Sequence, residues 1–122
     1  MMTEYYFFDT YALIEIFNGN KNYERFLDSV IVTSKLNLFE LFYIISRDVN
    51  NRLANFLLER YYKFAIDFGP ETIENAAKFR LENKPKFSMA DCIGYKTAEF
   101  LGIKFLTGDD GFNGLSNVEF VK

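Results

Sequence analysis

The chain has 122 residues, of which 49% are hydrophobic and 19% aromatic, and its formal net charge at pH 7 is −3. This length and apolar content predict a single folded domain over residues 1–122 and exclude an intrinsically disordered chain. The single cysteine excludes an internal disulfide and a cysteine-rich zinc site, and the absence of histidine excludes histidine-dependent nuclease chemistry. Any catalysis must therefore rely mainly on carboxylates.

The same properties set expectations for location and partners. The first residues, MMTEYYFFDT, carry Glu4 where a signal peptide has basic residues, and no apolar run approaches the ~18 to 20 residues of a membrane span. We therefore expect a cytoplasmic protein without a membrane partner. The mild negative charge gives no overall basic surface for nucleic acid, which leaves a local patch as the alternative.

Apolar runs alternate with helical patterns, and this order predicts an α/β fold with a mainly parallel sheet. The predicted strands are near-continuous apolar runs, as in sheets covered on both faces: YYFF, VIVT, KFAIDFG, IKFLT and an edge strand, VEFV. The predicted helices lie in TYALIEIFN, KNYERFLDS, KLNLFELFYIISRDV, NNRLANFLLERYYK, PETIENAAKFRLENK and SMADCIGYKTAEFL. Their end signals are Ser34 and Ser88 as N-caps, Pro70 in a first turn, and Gly19 and Gly102 as stops.

Two acidic positions follow predicted strands. Asp9 comes directly after the first strand, and Asp109 follows the fourth strand with Thr107 and Gly108 between. Ligands of open α/β sheets gather at these strand ends, and a glycine there allows the backbone to pass close to a ligand. The alternatives are that Asp9 caps the next helix and that Asp109 belongs to a solvated turn together with Asp110.

Two further acids lie on predicted helices. Glu40 is the single charge in LNLFELFYIIS and shares a helical face with Leu36 and Ile44. A carboxylate on such a face is rarely buried without a partner, and the alternative is an exposed helix edge. Asp91 is three residues after Ser88, which fits an S-x-x-D capping arrangement as well as a site at the helix start.

The strand ends and helix starts of a parallel sheet can converge at one edge, so these acids can form one site. Four ionised carboxylates in contact would repel one another and raise one another's pKa values. A hard divalent cation removes that repulsion, and an oxygen-only ligand set suits Mg²⁺ or Mn²⁺. Such a site activates water and polarises a phosphate without histidine.

The segments that carry these acids resemble the PIN domain family of metal-dependent ribonucleases, over nearly the whole chain. FFDTYALI resembles the opening strand–Asp–Thr/Ser segment of the family, TSKLNLFEL its second acid-bearing element, and FSMADCIGYKTAEFLGIKFLTGDDGF its longest signature. The resemblance implies a three-layer α/β/α fold around a parallel sheet of four to five strands. It implies catalytic and metal-binding roles for four acids: Asp9, Glu40, Asp91 and Asp109.

The same resemblance extends to residues beside the acids. It implies supporting roles for Thr10 and Thr107, and a packing role for Phe112. Asp110, the other acid of TGDDGF, is expected to support the site from the turn or rim, because Thr107 and Asp109 share one side of an extended strand. Gly108 departs from the family pattern, in which a larger residue is common, while all four acids are kept.

The short chain resembles VapC-type toxins, which implies Mg²⁺- or Mn²⁺-dependent hydrolysis of RNA, a VapB-like antitoxin partner and a homodimer. Three lysines flank Asp91 in the sequence and are candidates for contact with the RNA backbone: Lys84, Lys86 and Lys96. The alternative for each is a solvated charged face.

Other protein classes fit the chain less well. A receiver-type signalling domain needs an acidic pair after the first strand, and a haloacid-dehalogenase-type phosphatase needs D-x-D-x-T, yet the chain offers only Asp9 in FFDTYAL. It also lacks the G-K-[ST] and G-x-G-x-x-G phosphate-binding motifs. A non-catalytic PIN-like interaction module and a stand-alone PIN nuclease of RNA processing stay open as alternatives.

Overall fold

The computed structural model describes residues 3–83 and 86–122 and contains a five-stranded parallel sheet with helices on both faces. The strands are β1 (Tyr5–Phe8), β2 (Val30–Ser34), β3 (Ala65–Ile66), β4 (Lys104–Thr107) and β5 (Val118–Phe120). The helices are α1 (Thr10–Asn18), α2 (Lys35–Asp48), α3 (Asn51–Tyr61), α4 (Pro70–Asn83) and α5 (Met89–Leu101). Short 3₁₀ helices span Lys21–Phe26, Tyr62–Phe64 and Asp110–Phe112.

The strand order β3-β2-β1-β4-β5 puts the first strand at the centre of the sheet. The chain builds outward from β1 through β2 to β3, and then returns to the other side of β1 for β4 and β5. The strand order therefore reverses between the neighbouring strands β1 and β4. Ligands of open α/β sheets bind outside the carboxyl ends of the strands at such a point. Phe7 of β1 pairs with Phe105 of β4, so the residues that follow the two strands lie side by side.

Two hydrophobic cores lie on opposite faces of the sheet because successive side chains of a strand point to opposite faces. Phe8 and Leu106 pack on one face against residues of α1, α2 and α3. Phe7 and Phe105 pack on the other face against α4 and α5, together with Phe112. This arrangement confirms the predicted three-layer α/β/α fold.

Helix α5 packs very close to the sheet at Gly94. A Cβ atom at this position would lie 2.7 Å from Cε1 of Phe7 and 3.0 Å from Cε1 of Phe105. Any larger residue would push α5 away from β1 and β4. The glycine thereby fixes how near the first turn of α5 lies to the strand ends.

The predicted caps agree with the structure, and two elements differ from the prediction. The Ser34 and Ser88 hydroxyls accept N–H groups of α2 and α5, and Gly19 and Gly102 adopt left-handed conformations at helix ends. The predicted strand KFAIDFG is reduced to Ala65–Ile66, an edge pair against β2, because the 3₁₀ helix Tyr62–Phe64 takes its start. The predicted helix in KNYERFLDS is a 3₁₀ helix. Among the described residues, no helix has the length and apolar character needed to cross a membrane.

Candidate metal centre

Three of the four acids meet at the carboxyl end of the sheet. One carboxylate oxygen from each of Asp9, Glu40 and Asp91 lies within 4.8 Å of the other two. Asp9 follows β1, Glu40 projects from the second turn of α2, and Asp91 lies in the first turn of α5. The three acids line a cleft of about 460 Å³ that opens at the point where the strand order reverses.

The Asp9 side chain is oriented by contacts with buried side chains and does not cap helix α1. It occupies the N-cap position of α1, yet its side chain makes no capping hydrogen bond. Instead, its Oδ2 accepts a 2.7 Å hydrogen bond from the Thr107 hydroxyl, and its Oδ1 lies 3.5 Å from Nδ2 of Asn37. With an exposed fraction of only 2%, this carboxylate is turned toward the other acids and away from bulk water.

Asp91 serves the fold and faces the cleft at the same time. Its Oδ2 accepts the Ser88 N–H at 2.8 Å, and its own N–H donates to the Ser88 hydroxyl at 3.0 Å, which completes a capping box. The capping interpretation of Asp91 is therefore correct, and it does not compete with a place in the cluster. Glu40 is half-buried and lines the same cleft.

The cluster carries concentrated negative charge without a cationic partner in the described part of the chain. Burial and the Asp91 charge raise the pKa of Asp9 well above its ordinary value of 3.8. Burial and the charges of Glu40 and Asp109 raise the pKa of Asp91 to about 6, against hydrogen bonds from Ser88 that lower it. Within residues 3–83 and 86–122, no lysine or arginine forms an ion pair with any of the three acids.

This donor set fits a hard divalent cation. Two ligands about 2.1 Å from one Mg²⁺ ion are at most about 4.2 Å apart, so shifts of a few tenths of an ångström would bring the three oxygens into reach. Oxygen-only, carboxylate-rich ligand sets are those that Mg²⁺ and Mn²⁺ prefer. Burial and mutual repulsion raise the pKa values of Asp9 and Asp91, and a bound cation would offset both effects.

The two acids of TGDDGF occupy different environments. Asp109 is half-buried and lines the cleft, while its Oδ1 accepts the Gly111 N–H at 3.0 Å as the cap of a 3₁₀ helix. Asp110 is exposed and forms a 3.0 Å ion pair with Lys122. Asp109 is thus near the cluster without belonging to the group of three oxygens, and Asp110 lies at the rim.

Gly108 is needed for packing rather than for the approach of a ligand. A Cβ atom at this buried position would collide with the Val121 carbonyl oxygen and with the ring of Tyr11. Its neighbour Thr107 connects two parts of the site, because its Oγ1 donates to Asp9 and accepts the Asp109 N–H at 3.1 Å. The glycine therefore lets the chain leave β4 tightly enough to keep Asp109 beside Thr107.

The other predicted residues have varied positions. Thr10 is buried, and its Oγ1 accepts a 3.2 Å hydrogen bond from Nδ2 of Asn37. Lys86 lies over the Phe87 ring and Lys96 pairs with Glu99, and neither lines the acidic cleft. Lys84 lies outside the described residues.

Two residues of the site were not found by sequence reasoning. Asn37 is fully buried beside Asp9, and Lys122 lines the cleft. The one signal for Asn37 in the sequence is a polar residue three positions before Glu40, on the same face of α2. No pattern in the sequence indicates a role for Lys122, because only the fold brings it close to Asp110.

The stability of the metal-free protein is expected to fall as the pH rises from about 4 to above 6. Asp91 has a pKa of about 6 in the folded protein against 3.8 ordinarily, so in this window the folded state holds a proton that the unfolded state has lost. Because the folded state binds more protons, raising the pH favours unfolding. Melting temperatures in chelator between pH 4 and pH 7.5 measure this effect.

Asp91→Asn is the control for this pH dependence. Asparagine keeps an oxygen that can accept the Ser88 N–H, so it preserves the capping geometry while removing the titrating group. The fall in melting temperature should be smaller in this variant than in the wild type. Identical slopes in the two proteins would contradict the assignment of the effect to Asp91.

The fold and the acids at its strand ends define a parallel α/β protein with a candidate metal centre, and the family follows from comparison. The family model of the PIN domain matches residues 6–118, so the chain belongs to the PIN domain family. No curated protein matches the chain.

Several solved structures share the fold. A toxin–antitoxin complex from Klebsiella pneumoniae is 21% identical over 93% of this chain and 94% of that chain, with a TM-score of 0.69. VapC20 from Mycobacterium tuberculosis, a sarcin-ricin loop cleaving toxin, is 19% identical over 96% and 99%, with a TM-score of 0.78. DNA-bound VapBC from Salmonella typhimurium is 19% identical over 98% and 97%, with a TM-score of 0.72.

Proposed function

We propose that the protein is an endoribonuclease of the VapC type, in which Asp9, Glu40, Asp91 and Asp109 hold Mg²⁺ or Mn²⁺ and hydrolyse RNA phosphodiester bonds. The observation that carries the proposal is the approach of three carboxylate oxygens to within 4.8 Å at the switch point of the sheet. Carboxylates gathered this closely, with no ion-pair partner among residues 3–83 and 86–122, suit a divalent ion better than a structural role. Membership of the PIN domain family adds support.

The acids of the cleft have different roles in the proposed reaction. A divalent cation held by these acids would lower the pKa of a bound water molecule and polarise the phosphate. Asp9 and Asp91, held by Thr107 and by the capping box, present oxygens in fixed positions for that cation. Glu40 contributes the third oxygen from α2, and Asp109 lines the same cleft, where it can act on the cation through a water molecule. Attack of water on phosphorus would form a new P–O bond and break the bond to the ribose oxygen, while the water loses a proton to solvent and the leaving oxygen takes one up.

RNA must approach a negatively charged cleft, which requires a cation at its rim. Lys122 lines the cleft and is exposed, with its Nζ 3.0 Å from the Asp110 carboxylate. We propose that a phosphate of the RNA backbone replaces Asp110 as the partner of this lysine. An exposed ion pair of this kind is weak, so its exchange for a phosphate costs little.

The proposal includes an antitoxin and a homodimer. The two toxin–antitoxin complexes with the same fold support an antitoxin partner of the VapB type, and in our proposal this partner covers the cleft and inhibits cleavage. A stand-alone nuclease of RNA processing is the second candidate within the same chemistry. Co-expression with the product of an adjacent short reading frame separates a toxin from a stand-alone nuclease. If the protein is a toxin, it should slow the growth of the cells that express it, and the partner should restore that growth.

The direct test is cleavage of labelled single-stranded and hairpin RNAs by purified protein with Mn²⁺, with Mg²⁺ and with chelator. Cleavage should require the cation and should be lost in Glu40→Gln prepared in the same way, because glutamine keeps the shape and removes the charge. Glu24→Gln is the matched control, since Glu24 is exposed and lies outside the cleft. Metal-independent cleavage, or cleavage that persists in Glu40→Gln, would overturn the proposal, and RNA binding without cleavage would favour a non-catalytic module.

A further inference from the structure

A buried amide lies directly behind the acidic cluster and is not used by the chemistry described above. Asn37, in the first turn of α2, has no exposed surface, and its Nδ2 lies 3.2 Å from the Thr10 hydroxyl and 3.5 Å from Oδ1 of Asp9. A fully buried polar side chain is costly unless every polar atom finds a partner. Its partners therefore identify what the amide does.

The orientation of the amide follows from its hydrogen bonds. The Ser34 hydroxyl accepts the Asn37 backbone N–H at 3.1 Å, so its own proton is free to be donated. That proton goes to Oδ1 of Asn37 at 2.7 Å, which makes this end of the amide the oxygen. The NH₂ group must then face Thr10 and Asp9, and both of its hydrogens have acceptors.

Asp9 is consequently held from two sides by neutral donors. Thr107 donates to Oδ2 from β4, and the Asn37 amide faces Oδ1 from α2. Neither donor carries a charge, so neither competes with a cation for the negative charge of the carboxylate. The two contacts restrict rotation of the carboxylate and turn its remaining lone pairs toward Glu40 and Asp91.

We propose that Asn37 is a positioning residue for metal binding, which fixes the Asp9 carboxylate in the orientation that accepts a divalent cation. The inference rests on the proposed metal site and adds a residue to which no role was assigned. Groups that orient metal ligands from behind change metal affinity by about 10- to 100-fold when removed. The amide is expected to have an effect in this range.

The test is the Mn²⁺ affinity of the RNA-free protein, measured by isothermal titration calorimetry for wild type and Asn37→Leu. Leucine has the same branching and the same number of side-chain heavy atoms, although its methyl groups are larger, and it removes both donors. We therefore expect affinity to fall about 10- to 100-fold. Asn37→Ser is the second variant, in case leucine prevents folding. The serine side chain is too short to reach Asp9, so this variant should lose as much Mn²⁺ affinity as Asn37→Leu.

A control separates positioning from general destabilisation. Ile45→Ala opens a cavity in the core on the same helix, two turns beyond Asn37, at a residue that does not line the cleft. It should lower the melting temperature and leave Mn²⁺ affinity unchanged. Folded Asn37 variants with wild-type affinity, or a wild type that binds no Mn²⁺, would overturn the inference. Wild type that binds Mn²⁺ but cleaves no RNA would instead overturn the proposed function and leave the role of Asn37 intact.

Discussion

Asp9→Asn is expected to lower Mn²⁺-dependent RNA cleavage by at least about a thousandfold, roughly 4 kcal/mol of transition-state stabilisation. The buried Asp9 carboxylate is at the centre of the cluster, within reach of both Glu40 and Asp91. Asparagine keeps the shape of the side chain but removes the charge that a cation requires. Cleavage rates at saturating RNA with increasing Mn²⁺ give the measurement.

The same variant is expected to leave the metal-free protein as stable as the wild type or more so. Burial and the Asp91 charge raise the pKa of Asp9, so ionisation of this carboxyl group disfavours the folded state when no cation is bound. Asparagine removes that cost, and the Thr107 hydroxyl can accept a hydrogen bond from it instead of donating one. Melting temperatures in chelator check this expectation.

Asp28→Asn is the control, since Asp28 is exposed and lies outside the cleft, and it should change neither cleavage nor melting temperature. A large loss of stability in Asp9→Asn would assign Asp9 a structural role. Full activity in Asp9→Asn would remove the cluster from the mechanism altogether.

The two neighbouring acids of the loop after β4 are expected to differ strongly in their effects. Asp109→Asn should lower the cleavage rate by about 10- to 100-fold, because Asp109 lines the cleft near Asp91 and its charge is removed. Asparagine still accepts the Gly111 N–H, so the 3₁₀ helix stays in place.

Asp110→Asn is the matched control, one residue away in the same loop. It removes only an exposed ion pair with Lys122, so the rate should stay within about threefold of the wild type. Rates for both variants at saturating Mn²⁺ provide the comparison. A nearly normal Asp109→Asn beside an inactive Asp110→Asn would show that the acids have been assigned one residue out of register.

Local patterns were sufficient to predict most of the secondary structure. Apolar runs gave the strands at both sides of the switch point, and the caps at Ser34 and Ser88 follow from local hydrogen bonds within one turn. The third strand was predicted too long, because its length depends on pairing with β2 rather than on its own apolar residues. Helical periodicity likewise does not distinguish the 3₁₀ helix Lys21–Phe26 from an α-helix.

The acids were selected as candidates because their positions were unusual for each local element, and the structure brings Asp9, Glu40 and Asp91 together. Glu40 interrupts an apolar helix face. Asp9 and Asp109 follow strands that are predicted to be parallel, because strands and helices alternate along the chain. The sequence alone left open whether Asp9 and Asp91 cap helices or join a site. The structure answers differently for each, since Asp9 makes no capping bond and Asp91 caps α5 while facing the cleft.

Only the tertiary structure decided which residues surround the acids. The distance between Asp9 and Asn37 depends on how α2 packs against β1, and α5 approaches the sheet closely because Gly94 has no side chain. Lys122 reaches Asp110 because β5 pairs with β4 and brings the residues that follow them together. Residues far apart in a sequence meet through strand order and helix packing, and no local pattern encodes those distances. The sequence therefore determined the elements and the acids, and the packing of helices on the sheet determined how Asp9 is held.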